Sequence, residues 1–396
     1  MKKLKTAVFG AAITAVALTS CNPKSAGQDG LTASGLNPKD FDTTYVDAIK
    51  GKKEVKLYKL TNQNGMEVCI TNFGGRIVSI LVPDKDGKMQ DIVLGFDSAD
   101  KYFPQNNQSD FGSAIGRYAN RIAQGKLTVD GKEIQLPQNN FGHCLHGGPS
   151  GYQYQVYDAK QINDEQLELT MVSPDGDNNF PGELKVKVIY TLTEDNAIEI
   201  NYEATTDKET VINMTNHSYF NLSGDPTRSV SDELLMVNAD YYTPTDTTYM
   251  TTGEIKSVAN THFDFRTASK LGTYFGQSDP EIAAAGGGYD HNWCLNTNGD
   301  TTKVAVKLVD PYSGIALEVY TNEPGIQVYT GNFLDGTLKG KKGIVYNKQT
   351  AICLESQKYP DSPNKYQLPG WESSNPWLKP GETYKSYCKF KFSVEK

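Results

Sequence analysis

The sequence predicts an all-β protein built as a large sandwich of antiparallel sheets. Apolar residues recur with period two along most of the chain, as they do in strands with one buried face. Turn residues separate those runs at short intervals, and helical periodicity is scarce outside short pieces such as residues 279–285. No internal repeat is apparent, which argues against a propeller or a solenoid.

Along the chain, Val55, Leu57 and Lys59 lead into a run over residues 65–70, and a run over 77–82 stops at Pro83-Asp84. Residues 126–136 read as two strands about Asp130-Gly131, a pair that suits a tight hairpin turn. Further strands are predicted over residues 167–172, 184–192, 197–204, 210–214, 304–309, 315–321, 326–330 and 389–394. Residues 351–357 form an apolar run with one acid, bounded downstream by Pro360 and Asp361, and read as a buried strand ending at a turn. Alternation sets Cys353, Glu355 and Gln357 on one face and Ile352, Leu354 and Ser356 on the other. Those seven residues alone favour a strand with one wet side; the residues described below point Glu355 toward chemistry instead.

The N-terminus reads as a targeting segment. Lys2, Lys3 and Lys5 precede an apolar run from Ala7 to Leu18, which is too short to span a bilayer, and then Leu18-Thr19-Ser20-Cys21. That ending resembles a bacterial lipoprotein signal, which implies a signal peptide over residues 1–20 and a lipidated Cys21 as the first mature residue. The expected location is the cell envelope, lipid-anchored and facing the periplasm or the cell surface. Ordinary secretion without lipid is the alternative. Residues 21–44 are polar and rich in Gly, Ser, Pro and Asn, and read as a flexible tether. Residues 45–396 carry no comparable linker and read as one domain.

A formal net charge of −8 argues against nucleic acid and, more weakly, against dedicated phosphate binding. Beyond Cys21 five thiols remain, without zinc-type spacing; with Cys69 and Cys353 inside apolar strands, free buried thiols are expected. Several segments carry polar groups that a scaffold does not need. Arg121 follows Asn120 in Gly116-Arg117-Tyr118-Ala119-Asn120-Arg121-Ile122. His146 precedes Gly147 and Gly148, where backbone can approach a ligand. His217 follows Thr215-Asn216, and Asp290 follows a triple glycine. His143 and His146 suggest a metal pair, but spacing offers no third ligand, so no metal is expected.

Together these segments resemble the aldose 1-epimerase (galactose mutarotase) family. The resemblance rests on residues 116–122, Leu145-His146-Gly147-Gly148, residues 215–222, Tyr241-Tyr242-Thr243-Pro244, Phe263-Asp264-Phe265-Arg266, Tyr289-Asp290-His291-Asn292, residues 323–333 and Leu354-Glu355-Ser356-Gln357, in family order from about Val55 onward. Tyr118 stands where small or branched residues are common, and His143 where Asn often precedes the Leu-His-Gly-Gly string. The resemblance implies a galactose mutarotase-like supersandwich that interconverts the α and β anomers of free aldohexoses such as glucose and galactose, without cofactor. It implies Glu355 as general base and His217 as general acid. It further implies His146, Arg121 and Asp290 as substrate contacts, with Asn120, Gln327 and Glu323 as further ones. A monomer is expected, with free sugars and the membrane, through Cys21, as partners. The rival readings are a non-catalytic surface carbohydrate-binding protein and a hexose-phosphate epimerase.

Overall fold

The computed structural model describes Met1 and residues 30–47, 51–107, 109–276 and 279–395. The expected signal peptide from residue 2 onward and Cys21 lie outside the described residues. Strands dominate, and three antiparallel sheets organise them. The largest has nine strands in the order Asp158–Asn163, Gln166–Ser173, Leu184–Leu192, Ala197–Thr206, Tyr384–Val394, Ile315–Thr321, Val306–Val309, Leu234–Val237 and Ser269–Lys270. The second has six: Tyr219–Phe220, Ile352–Gln357, Gly325–Tyr329, Asp290–Cys294, Tyr241–Thr243 and Lys256–Ser257. Four strands make the third: Leu57–Thr61, Glu67–Thr71, Arg76–Pro83 and Met89–Asp91.

The nine-stranded sheet shows why period two reads so clearly. Along Leu184–Leu192, Leu184, Val186, Val188, Tyr190 and Leu192 turn inward while the residues between them stay partly wet. Each large side chain so buried contributes about 1.5–3 kcal/mol. The C-terminal strand pairs with Ala197–Thr206 on one side and Ile315–Thr321 on the other, so chain-distant segments meet at the middle of this sheet. Its inward residues Cys388, Phe390 and Phe392 join the main core.

Most expected strands form. The hairpin pairs Lys126–Val129 with Lys132–Gln135, its turn residues Asp130 and Gly131 at φ 49° and 73°. The C-terminal strand begins at Tyr384, earlier than the pattern suggested. The predicted strand over 210–214 stops at Val211, because Ile212 donates to Pro376 and Asn213 bonds through its side chain to Ala119 and Lys358. The short helix Pro280–Ala284 forms as expected: the Asp279 side chain accepts from the Glu281 and Ile282 amides, and Gly286 and Gly287 follow at positive φ.

Residues 30–44 depart from the tether expected for 21–44. Both carboxylate oxygens of Glu67 accept backbone N–H groups, from Ala33 at 2.9 Å and Ser34 at 3.0 Å. Leu36 and Phe41 are buried in a second core with Phe73, Phe103, Tyr219, Tyr329 and Cys353. Thr43–Asp47 then pairs with Gly51–Val55. A polar segment thus becomes a packed strap because two apolar side chains and one buried carboxylate hold it; composition averages over such anchors. The five thiols are free and buried, and burial pushes the Cys69 thiol up to about 12.

Candidate active site

The six-stranded sheet separates the two cores. Ile352 and Leu354 point into the main core and Cys353 into the second, so Glu355 shares the Cys353 side, as alternation requires. Register extends that face across neighbouring strands. Glu355 lies opposite Gln327, which lies opposite Asn292; Cys353 lies opposite Tyr329, which lies opposite Asp290. One sheet face therefore presents a band of polar side chains without any of them being adjacent in sequence.

Above this face is a cavity of about 360 Å³ that includes Asp110, Asn120, Arg121, His146, His217 and Glu355 in its lining. Asp290 lines it as well. The volume suits a single small ligand, at the lower end of the ~300–1,000 Å³ common for such sites. His217 stands between two short strands, Thr215–Asn216 and Tyr219–Phe220. Its backbone is held by Ser113 and Gly112, and its ring stacks on Tyr219 at 5.1 Å. Its Nε2 lies 3.5 Å from Glu355 Oε1, although the two residues are far apart in the chain. Both side chains are buried, and His217 Nδ1 and Glu355 Oε2 have no hydrogen-bond partner among the described residues. Burial drives the Glu355 carboxyl well above the usual carboxylate range, aided by Asp290 and Asp110, while Arg121 opposes the rise. Burial also holds the His217 imidazole below its ordinary value, against the pull of Asp110 and Asp290.

His146 is set differently. It follows the two-residue strand Cys144–Leu145, which pairs with Arg121–Ile122, and its amide donates to Asn120 O. The Asn120 amide in turn donates to His146 Nδ1 at 3.1 Å. A ring nitrogen that accepts a backbone N–H carries no proton, so the neutral ring keeps its proton on Nε2. Asn120 and His146 both occupy the left-handed region, at φ 61° and 51°. Gly147 serves that curl: a Cβ there would lie 2.3 Å from Gly116 O. The glycines expected to admit a ligand thus admit protein instead, backbone at Gly147 and the Asn178 side chain at Gly148.

Arg121 is fixed by Asn140, whose Oδ1 accepts from Nε at 3.1 Å, and by the Tyr249 ring beneath its guanidinium at 5.1 Å. Asp290 Oδ1 accepts from Gln327 Nε2 at 2.8 Å. Gln327 was expected to touch substrate; it is absent from the cavity lining and orients Asp290 from behind. Glu323 also falls away from the cavity, buried and paired with Lys358 at 2.8 Å. His143 makes no pair with His146, since its Nδ1 accepts from Gln124 and its Nε2 meets Thr248. Tyr118 is buried against Tyr359 and Ser362.

Asp110 was not singled out from the sequence. It brings one carboxylate oxygen to within 4.8 Å of ring nitrogens on His146 and His217. The three groups converge on one spot of the cavity, where a substrate hydroxyl would stand among them. Phe141, Tyr249, Tyr329 and Phe333 complete an aromatic wall, with Tyr329 and Phe333 stacked and Phe141 against Tyr249. Phe141 and Phe333 stand within segments quoted for the resemblance or beside them, whereas nothing marked Tyr249 or Asp110.

A facing carboxylate and imidazole and polar groups around a volume of sugar size, on a large antiparallel scaffold, suit acid–base chemistry on a small polyhydroxylated molecule. Comparison with known proteins makes the class specific. Residues 56–391 match the family model described as aldose 1-epimerase, and the chain belongs to that family. It is 42% identical over 352 residues to the galactose mutarotase of Mus musculus, covering 89% of this chain and 98% of that one. To the aldose 1-epimerase of Escherichia coli K12 it is 38% identical over 340 residues, covering 86% and 96%. Among solved structures, an aldose epimerase homologue from C. elegans superposes with a TM-score of 0.78 at 31% identity, covering 86% of this chain and all of that one. A galactose 1-epimerase from Lactobacillus acidophilus NCFM gives 0.76 at 30% identity, covering 89% and 98%. The chain is an isomerase that interconverts aldose anomers, on the fold expected.

Proposed function

We propose that the protein acts on free aldohexoses, glucose and galactose among them, with Glu355 as general base and His217 as general acid. The observation that carries this reading is the buried Glu355–His217 pair, 3.5 Å apart in the cavity lining, with His217 Nδ1 and Glu355 Oε2 left without a hydrogen-bond partner among the described residues. Ionised Glu355 takes the proton of the anomeric hydroxyl while protonated His217 delivers one to the ring oxygen, and the C1–ring oxygen bond breaks to give the open aldehyde. After rotation about the C1–C2 bond the roles reverse: neutral His217 takes back the hydroxyl proton of the former ring oxygen as that oxygen attacks C1. Glu355 returns its proton to the new anomeric oxygen. Each group so placed supplies about 10²–10⁴ in rate. His146 does not compete for the acid role, because its Nδ1 is committed to the Asn120 amide; its Nε2–H donates to a sugar oxygen instead. Arg121, Asp290 and Asn120 hold the hydroxyls.

Of the residues lining the cavity, Arg121 alone is a permanent cation, against Asp110, Asp290 and Glu355. That balance favours a neutral sugar over a hexose phosphate, whose dianion needs several donors. The mature protein is further proposed to be anchored in the cell envelope through a lipidated Cys21, facing the periplasm or the surface, and to act as a monomer; the Leu-Thr-Ser-Cys sequence supports the anchor. Polarimetry on freshly dissolved α-glucose and α-galactose tests the activity: relaxation far faster than in buffer is expected, and no acceleration with either sugar overturns the substrate assignment.

A further inference from the structure

Asp110 belongs to the cavity yet has no part in the reaction as written. Its position is nonetheless tightly held. Buried Arg76 donates from Nη1 to Ser109 O at 2.9 Å and to Phe111 O at 3.0 Å, clamping the carbonyls on either side of it. Asp110 O itself accepts from the Ser113 amide at 3.1 Å and from Ser113 Oγ at 2.8 Å. With its backbone so fixed, the side chain reaches the histidine pair, and its Oδ1 is occluded from solvent and has no hydrogen-bond partner among the described residues. A buried carboxylate oxygen left unpartnered is costly unless a cation faces it at some stage of the working cycle.

The candidates for that cation are few. His146 stays neutral through its Asn120 contact, and the Arg76 guanidinium, a standing charge that Asp110 also feels, gives its Nη groups to the carbonyls of Ser109, Phe111 and Gln153 in every state of the reaction. Arg121 is bound to Asn140 and lies over Tyr249. That leaves His217. We propose that Asp110 is a positioning residue of the anomer exchange: its carboxylate is the standing counter-charge that keeps the His217 imidazolium loaded and turned toward the ring oxygen. Glu355 cannot serve in this way, because it loses its charge when it takes the hydroxyl proton, and Asp290 is tied to Gln327 on another strand. Among the influences on His217, Asp110 is the foremost one opposing burial. This inference rests on the reading of His217 as the acid.

The test is the pH–rate profile of Asp110→Asn, followed by polarimetry with α-galactose. Around His217 stand Glu355 from Ile352–Gln357, Asp290 from Asp290–Cys294, Arg121 from Arg121–Ile122, Arg76 from Arg76–Pro83, and His146, Tyr219 and Tyr329. The substitution leaves all of these in place and removes one negative charge. His217 then holds its proton less well, so the alkaline limb moves toward lower pH by about one unit, equivalent to tenfold in proton affinity. Because Asp110 also raises Glu355, the acid limb moves the same way, and kcat at neutral pH falls about tenfold with KM little changed. Asp110→Glu restores part of the loss. An NMR titration of the His217 ring protons in wild type and Asp110→Asn reads the same shift without turnover. A variant whose limbs and His217 titration stay in place, or whose KM alone rises, overturns the proposal. If His217→Asn keeps wild-type turnover, the acid assignment itself fails, and that result separates the two.

Discussion

The nine-stranded and six-stranded sheets are made of the same kind of strand but treat their faces differently. In Leu184–Leu192 and Tyr384–Val394 buried and wetter positions alternate, and the buried ones are mostly apolar. In Gly325–Tyr329 and Ile352–Gln357 every residue is buried, and the second face carries Gln327, Glu355 and Gln357. A sheet that lies between two cores has no solvent side to receive its polar residues, so those residues signify work that water would otherwise obstruct. Regular alternation marks the scaffold, and its breakdown into buried polar positions marks the site.

The sharpest way to break this contrast is Glu355→Gln, an isosteric change on the working face. Turnover is expected to fall by about 10²–10⁴, measured by polarimetry; near-normal rates would remove Glu355 from its role. The same variant should melt at a higher temperature. Glu355 binds its proton more tightly in the folded than in the unfolded protein, so its contribution to stability is full below the unfolded pKa and is lost as pH rises through the folded one. The melting gap between variant and wild type should therefore widen from mildly acidic to neutral pH, and a constant gap would argue against a buried charge.

Phe390→Ala tests the scaffold with the opposite result. Phe390 is fully buried in the nine-stranded sheet, so the change is expected to cost about 3–5 kcal/mol in denaturant unfolding while leaving kcat of the folded fraction unaltered. A large loss of kcat without loss of stability would mean that the two sheets do not divide their duties. The pH dependence of wild type sharpens the picture. Under the proposed roles activity requires Glu355 ionised and His217 protonated; burial raises the first and lowers the second, so the two limbs close on each other. A narrow bell is expected by polarimetry, and a flat rate from about pH 5 to 8 would contradict it. The smallest effect is expected at Gln327→Leu, which frees Asp290 without touching the cavity wall. KM should rise about three- to tenfold, the net worth of one typical hydrogen bond, with kcat nearly constant.

The strands and the members of the cavity were legible in the sequence for different reasons. Period two announced the nine-stranded sheet directly. Glu355 and His217 were legible through motif order, while their approach depended on a register that no local pattern encodes. Glu323 and Gln327 shared those motifs but fall outside the cavity, since a motif does not say whether a side chain touches the ligand or a neighbour that does. Asp110 and Tyr249 were illegible because the loops that bring them in carry no periodicity. The strap over residues 30–44 was hidden by its polar composition, its hold resting on Glu67 and two apolar side chains.

That strap also sets a distance. Leu36 is anchored in the second core, so under the proposed lipidation of Cys21 the chain between the two spans fifteen residue steps (36 − 21), a reach of about 50 Å even when fully drawn out. The catalyst would then work in a thin layer beside the membrane, meeting hexoses as they arrive at or leave its surface and leaving the bulk of the compartment to spontaneous equilibration.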